Sequence, residues 1–585
     1  MTGDASRSQK ALSVFLSILM VGSVMALGGV AFTVSAATAT LEVGTNSGYT
    51  SIQSAVDNAS SGDTISIATG DYDEQVVIDK ELTINAKYGA TLSYSSSPGS
   101  SYAANSYMIV NNSSSVTING LEFTGPFEAS NTAGLFVTGG ASVDANGMTM
   151  NQMFDATSGG VPSGTQAHGA IALGHERYTE SSEFGSIEID NSEIDEFGKF
   201  AIQISGEQSS ATITETQING SGDISDSSPL AQDSVLVDQG DLMVSSSTFE
   251  DIRSTDSSGT GVTVYGPSNS VEIRNNTFDD VNKPISLQSF RNFDDTSGVI
   301  EGVIVHNNTI QDQFQAVDIF SERAQAGADE TIIRDLNFTE NTISNGNTGL
   351  AAWTGQTVDS QITDNVFSNN TIQVYQPRGT FNGTQILTEN NLDSAVYIGP
   401  ANTTIYSEIQ LTIEGTVFDE DPVQDGDTVS VEPGTYNESV SISTKNVTLE
   451  GPNAGINANR DVRSDEAVIA GQVSVSAQNV TVNGLQVTPN TETFNEKPAA
   501  TIIVSESDAT VQNNRIADFT VSITDIEPNS TQGIQVFNAG NEITGIGIQN
   551  NSVENITYEG SSQAPSGDFG TDYGNLYGIH VQGEI

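Results

Sequence analysis

The chain has 585 residues, 74 of them acidic and 18 basic, for a formal charge of −56. That balance excludes nucleic-acid binding through clustered Lys and Arg, and it disfavours docking on an anionic membrane surface. With 36% apolar and only 16% charged residues the chain is a folding one, and without cysteine it has no disulfide, thiolate metal site or cysteine nucleophile.

The acidic residues stand mostly singly among Ser, Thr, Asn and Gly, as on proteins of high-salt surroundings, where salt screens their repulsion. Halophily is therefore expected. The length points to two domains or to one repeat rather than to a single core.

Residues 1–36 read as a secretory signal: Arg7 and Lys10, then a long apolar run, then Ser35-Ala36-Ala37. The segment resembles the leader of haloarchaeal surface glycoproteins. It implies a secreted or cell-surface protein with no transmembrane segment in the mature chain. Sixteen Asn-x-Ser/Thr sequons suit export, and Asn58, Asn219, Asn307, Asn337, Asn437 and Asn555 are candidate glycosylation sites.

YTSIQSAVDNA at 49–59 is predicted as a short amphipathic helix. After it a phrase recurs, in which β-branched alternation leads to an Asn and then to an apolar residue. It reads VEIRNNTF at 271–278, VIVHNNTI at 303–310, FTENTI at 338–343, ITDNVF at 362–367 and LTENNL at 387–392. The Asn positions 276, 308, 341, 365 and 390 lie 32, 33, 24 and 25 apart, which suits coils of roughly 22–25 residues with insertions. Asn tolerates a left-handed turn, and stacked Asn amides can form a ladder.

A second strand phrase follows each turn: GVTVYG at 261–266, PISLQS at 284–289, AVDIFS at 316–321, GLAAWT at 349–354 and TIQVYQ at 371–376. Strands without intervening helices, returning through short turns, predict an all-β chain wound as a parallel β-helix.

One segment occurs twice, as SGDTISIATGDYDEQVVIDKELTI at 61–84 and DGDTVSVEPGTYNESVSISTKNVTL at 425–449. Here the sequence resembles the right-handed β-helix proteins of the pectin-lyase-like superfamily, whose first coils carry GDT and G-x-Y-x-E. The resemblance spans roughly 45–585. It implies a right-handed parallel β-helix and, at 49–59, a helix capping its open end. The second copy reads as lacking such a helix, with EIQLTIEGTVF at 408–418 as strands. The organisation expected is a signal at 1–36, one β-helical module at 37–400 and a second at 401–585. The final GIHVQGEI reads as an interior coil, so the expectation is that either a C-terminal part is missing or another element covers the end.

The superfamily's esterase, polygalacturonase and pectate-lyase motifs are not found in order, so no catalytic set is assigned. His168, His175, Glu176 and Arg177 read as a polar loop rather than a metal site. Asp419, Asp421, Asp425 and Asp427 loosely resemble a calcium loop without its closing Glu. No cofactor is expected, Ca²⁺ being the one ion the pattern suggests.

The second-strand phrases place Val262, Val264, Ile285, Leu287, Val317, Ile319, Leu350, Ala352, Ile372 and Val374 inward. Tyr265, Gln288, Phe320, Trp353 and Tyr375 then form one outward column, beside Thr263, Ser286, Asp318, Ala351 and Gln373. Glu322, Arg323 and Arg378 flank it. Such a stripe suits a polysaccharide, a surface glycan or a surface-layer glycoprotein, unless loops cover the rings. The competing expectation is a polysaccharide lyase or glycoside hydrolase for which Asp318, Glu322 and Arg323 are the catalytic candidates.

Overall fold

The computed structural model describes residues 38–95, 101–125, 132–152, 168–175, 182–222, 232–254, 259–265, 270–289, 299–321, 332–353, 356–377, 380–400, 403–415, 422–460, 462–488, 499–523, 531–538, 542–560 and 576–582. Residues 1–36, Glu176, Arg177, Glu322, Arg323, Arg378, Asp419 and Asp421 lie outside this set, as do the side chains of His168 and Phe320.

The described residues from Thr40 to Gln582 fold as a right-handed parallel β-helix. Each coil supplies one strand to each of three parallel sheets. The first sheet has twelve strands, from Thr40–Val43 to Gln361–Thr363, and so has the second, from Gly70–Asp73 to Asn391–Leu392. The third runs from Val76–Ile78 through Asp233–Asp238, Thr260–Tyr265, Lys283–Ser289, Gln315–Ser321 and Thr348–Ala352 to Ile372–Tyr375. In-register stacking follows from the sequence alternation. Val262 pairs with Ile285, Ile285 with Val317, and Val317 with Leu350, all in the apolar interior.

The repeated Asn is a rung of that stack. Asn276 gives its backbone N–H and its amide N–H to Asn308 Oδ1, at 2.9 and 3.1 Å. Asn308 does the same to Asn341 (2.9 and 2.9 Å), Asn341 to Asn365 (2.9 and 3.0 Å), and Asn365 to Asn390 (3.0 and 2.8 Å). One correction concerns the turn. The left-handed position is held by the residue before each of these, Asn275, Asn307, Glu340 and Asp364, with φ of 53–61°. The turn and the ladder therefore use neighbouring residues, one exposed and one buried.

Parallel pairing stops near residue 396. Ile372–Tyr375 pairs antiparallel with Ile405–Tyr406, and Val396–Ile398 pairs antiparallel with Thr428–Val431. The apolar interior divides at the same place, one cluster reaching from Val43 to Ile405 and the other from Val396 to Val536. Beyond the joint, parallel coils resume, and Asn514 gives its backbone and amide N–H to Asn551 Oδ1.

Both copies of the duplicated phrase make the same contacts. Asp63 accepts the Ser60 N–H at 2.8 Å, and Asp427 accepts that of Gln424 at 2.6 Å, so the GDT aspartate closes its turn. Tyr72 donates to Ala68 O at 2.9 Å and Tyr436 to Glu432 O at 2.8 Å, four residues back in each case. Glu74 accepts the N–H groups of Ile52 and Gln53, the first turn of helix Ile52–Asn58.

The expectation of strands at 408–418 is overturned, because Ile409–Glu414 is a helix. Ile409, Thr412 and Ile413 are its buried residues, a helical spacing, and Glu438 accepts its first N–H groups as Glu74 does in the first copy.

Candidate functional site

The candidate site is the outer face of the third sheet, where three columns of side chains point away from the interior. Phe200, Asp233, Thr260 and Lys283 follow one another in register in the first. The second holds Leu236, Thr263, Ser286, Asp318, Ala351 and Tyr375. The third holds Asp238, Tyr265 and Gln288, passes the backbone position of Phe320, and is extended by Trp353, since the preceding Ala352 pairs with Ile319.

This register corrects the expected placement of Tyr375. It stacks on Ala351, one column away from Trp353, and Gln373 moves with it. The coil there advances by 24 residues, so Tyr375 stands two positions earlier than an alignment with Trp353 supposes. Ile372 is correspondingly not in the main interior but on this face.

Both ends of the face are apolar and the middle is charged. At one end Tyr102, Phe136, Phe200 and Leu236 pack with Tyr265. The Tyr102 hydroxyl donates to Gln203 Oε1 at 2.9 Å, which places helix Tyr102–Asn105 against the sheet. At the other end Ala351, Ile372, Tyr375 and Tyr406 pack with Trp353 and Leu411. The Trp353 and Tyr375 rings lie 4.6 Å apart, tilted by 53°. Trp353 is half-buried, and Tyr375 is 6% exposed. Among the described side chains the expected stripe is thus two half-buried rings, Trp353 in one packed cluster and Tyr265 in the other, with the half-buried Gln288 between them.

Two ion pairs hold the middle. Lys199 Nζ lies 2.8 Å from Asp233 Oδ2, and Lys283 Nζ lies 3.0 Å from Asp318 Oδ2. Sequence reasoning did not single out Asp233, Lys199 or Lys283. Asp233 opens a strand phrase and Lys283 precedes one, and only the register brings them onto this face. Thr260 donates to Asp233 Oδ1 at 2.6 Å, and Gln288 donates to Ser286 Oγ at 2.6 Å. Asp318, 1% exposed, keeps its Oδ1 buried with no hydrogen-bond partner among the described residues. A buried carboxylate oxygen without a donor is costly.

Among the described residues, Asp233 and Asp318 do not form a hydrolytic pair. Asp233 and Asp318 are three strands apart, about 14 Å at ~4.8 Å per strand, against the roughly 5–9.5 Å between glycosidase carboxyls. The candidates Glu322, Arg323 and Arg378 fall outside the described residues. Among the described residues no group of His, Asp and Glu is placed to hold a metal ion. Asp425 and Asp427 serve turns instead, Asp425 accepting from the Asn446 amide. Of the sequon residues, Asn58, Asn307, Asn437 and Asn555 are exposed, whereas Asn219 and Asn337 are half-buried. No described helix is long and apolar enough to cross a membrane.

Residues 163–372 match the family model described as right handed beta helix region. No curated protein matches the chain. Among solved structures it is similar to a pectin methylesterase from Aspergillus niger, at 14% identity over 59% of this chain and 93% of that one, with a TM-score of 0.15. It is similar also to a PL6 family alginate lyase, at 11% identity over 90% and 79% of the two chains and a TM-score of 0.20. The catalytic domain of a GH87 alpha-1,3-glucanase gives 10% identity, 93% and 68% coverage and a TM-score of 0.17. At such identities and scores these likenesses assign no activity to the present chain.

Proposed function

We propose that this chain is an exported, glycosylated β-helix of high-salt surroundings that binds polysaccharide or surface glycans, those of surface-layer glycoproteins included, through the outer face of its third sheet. The observation carrying this reading is the Trp353 ring, half-exposed on Tyr375 and on the same face as the half-buried amide of Gln288. A sugar ring is apolar on its faces and hydroxylated on its rim. An aromatic ring beside acceptors and amides offers both kinds of contact. The acidic composition, the leader-like segment and the sequons support export into salt.

The separation of Asp233 and Asp318 speaks against a hydrolase that would use these two acids as its pair. The test is a glycan array probed with the full chain and with Trp353→Ala at high salt, the fold of each being checked by its melting curve. Loss of at least tenfold in binding is expected, and unchanged binding refutes the role of Trp353. Release of reducing ends from a panel of acidic polysaccharides would establish the enzyme reading instead.

A further inference from the structure

A second site lies among the coils of the second core. After strand Thr448–Glu450 the chain leaves the coil and crosses the turns of three successive coils. Gly455 N–H donates to Asn483 Oδ1 at 3.3 Å, Arg463 Nη1 to Asn513 O at 2.8 Å, and Ala458 N–H to Asn550 O at 3.0 Å. Under this excursion lies a cavity of about 520 Å³, within the size range of ligand sites, lined by Arg460, Arg463, Arg515, Asp465, Glu466 and Glu554 among others.

The described arginines are Arg253, Arg274, Arg334, Arg460, Arg463 and Arg515, so half of them meet in this one cavity. Two are committed. Arg463, its side chain 8% exposed, grips Glu466 with both ends of its fork, at 2.7 and 2.9 Å, and so fixes the excursion. Arg515 holds Glu554 at 2.6 Å. Arg460 is exposed, and its guanidinium has no partner among the described residues.

A chain with 74 carboxylates has abundant anions to pair with a guanidinium, so one without a partner among the described residues, beside a preformed cavity, is open to an external anion. The three Arg and the three acids lining the cavity sum to zero charge, a neutral place on a molecule carrying −56. At about 1 M salt the Debye length is ~3 Å, so repulsion from the rest of the surface is screened while contact-range bonds persist. Arginine's planar fork suits carboxylate and sulfate oxygens, which it binds two at a time.

We propose that this cavity binds a carboxylate or sulfate group with Arg460 as the principal donor, and, resting on the glycan reading above for the carrier, that the group belongs to an acidic polysaccharide. The site is independent of Trp353. Arg463 is a positioning residue.

The experiment titrates the full chain at about 1 M salt with oligogalacturonate, dextran sulfate and uncharged dextran. Binding of one or both charged probes, and not of dextran, is expected, and the probe that binds identifies the anion. Arg460→Ala should lose at least tenfold in affinity and Arg460→Lys less, because a point charge keeps attraction but not the fork. Arg274→Ala, which removes a guanidinium outside this cavity, should stay within twofold of the unsubstituted chain. No binding of either charged probe, equal binding of dextran, or unchanged affinity in Arg460→Ala overturns the proposal. Equal loss in Arg274→Ala also overturns it, since the effect would then be one of overall charge rather than of this cavity. Arg460 is exposed, so its variants should melt as the unsubstituted chain does.

Discussion

Glu438 accepts the backbone N–H of Ile409 at 2.6 Å, closing the first turn of a helix that lies 29 residues before it in the chain. Gln410 adds a second N–H at 2.7 Å. Burial pushes the Glu438 carboxyl above its ordinary 4.5, although these two N–H groups pull it down, and Glu408 adds a smaller upward push. The folded chain therefore takes up this proton at higher pH than the unfolded chain does. The resulting stabilisation is fully present below 4.5 and is lost as pH rises through the raised value. In Glu438→Gln that pH dependence is absent, so the difference from the unsubstituted chain should shrink with rising pH across this window. Glu438→Ala should cost about 0.5–2 kcal/mol, as other lost caps do. Urea unfolding at a series of pH values checks both, and a pH-independent difference would refute the assignment.

Asn341 is the centre of the amide ladder and is fully buried. Its amide N–H groups reach Val305 O, Thr339 O and Asn365 Oδ1, and its oxygen takes two N–H groups of Asn308. Asn341→Ala strands several of these at roughly 1–3 kcal/mol per buried group, so a loss of at least ~3 kcal/mol is expected. Asn390→Ala, at the half-buried end of the ladder, should cost about 1 kcal/mol. Chemical denaturation of the two variants distinguishes them, and equal losses would mean that the ladder adds nothing beyond local packing.

A stack of carboxylates makes stability depend on salt. Glu250 pairs in register with Asp279, and Asp251, Asp280 and Asp312 hold the left-handed turns of successive coils beside them. Arg253 bridges Asp251 and Asp280 and leaves the others unneutralised by it. Asp279→Asn and Asp312→Asn should each raise stability by about 0.5–1 kcal/mol near 0.1 M salt and by nothing measurable near 1 M. Asn keeps the left-handed turn at 312, so backbone strain does not enter. Melting curves at the two salt concentrations decide the matter.

The Lys283–Asp318 pair should respond unequally to its two single deletions. Asp318 is 2% exposed in its side chain and Lys283 is 22% exposed, so Lys283→Met leaves the more deeply buried charge alone. A loss of about 3 kcal/mol or more is expected for Lys283→Met, a smaller one for Asp318→Leu, and a value near the unsubstituted chain for the double variant. A double-mutant cycle measures the coupling, and additive losses would show that the pair contributes no interaction.

Much of this was legible in the residues. Alternation put Val262, Ile285 and Val317 inward, and the spacing of Asn276, Asn308, Asn341, Asn365 and Asn390 is the spacing of the ladder bonds. The misplacement of Tyr375 was avoidable from that same spacing, since 24 residues separate Asn341 from Asn365 and also Ala351 from Tyr375. Helix Ile409–Glu414 was hidden because Ile409, Leu411 and Ile413 alternate as a strand would. Its signal was the repeated glutamate, for Glu438 stands where Glu74 does, and Glu74 already had a helix to hold. The pairs on the outer face were not legible. Lys199 meets Asp233 across 34 residues and Lys283 meets Asp318 across 35, at loop lengths that no local pattern encodes.

Each glutamate-held helix stands at the head of its own apolar cluster, one at Ile52 and the other at Ile409. Winding thus has two starting points, and nearest-neighbour contacts suffice to propagate each. Refolding from denaturant should consequently proceed in two kinetic phases, and Glu438→Ala should slow one of them alone.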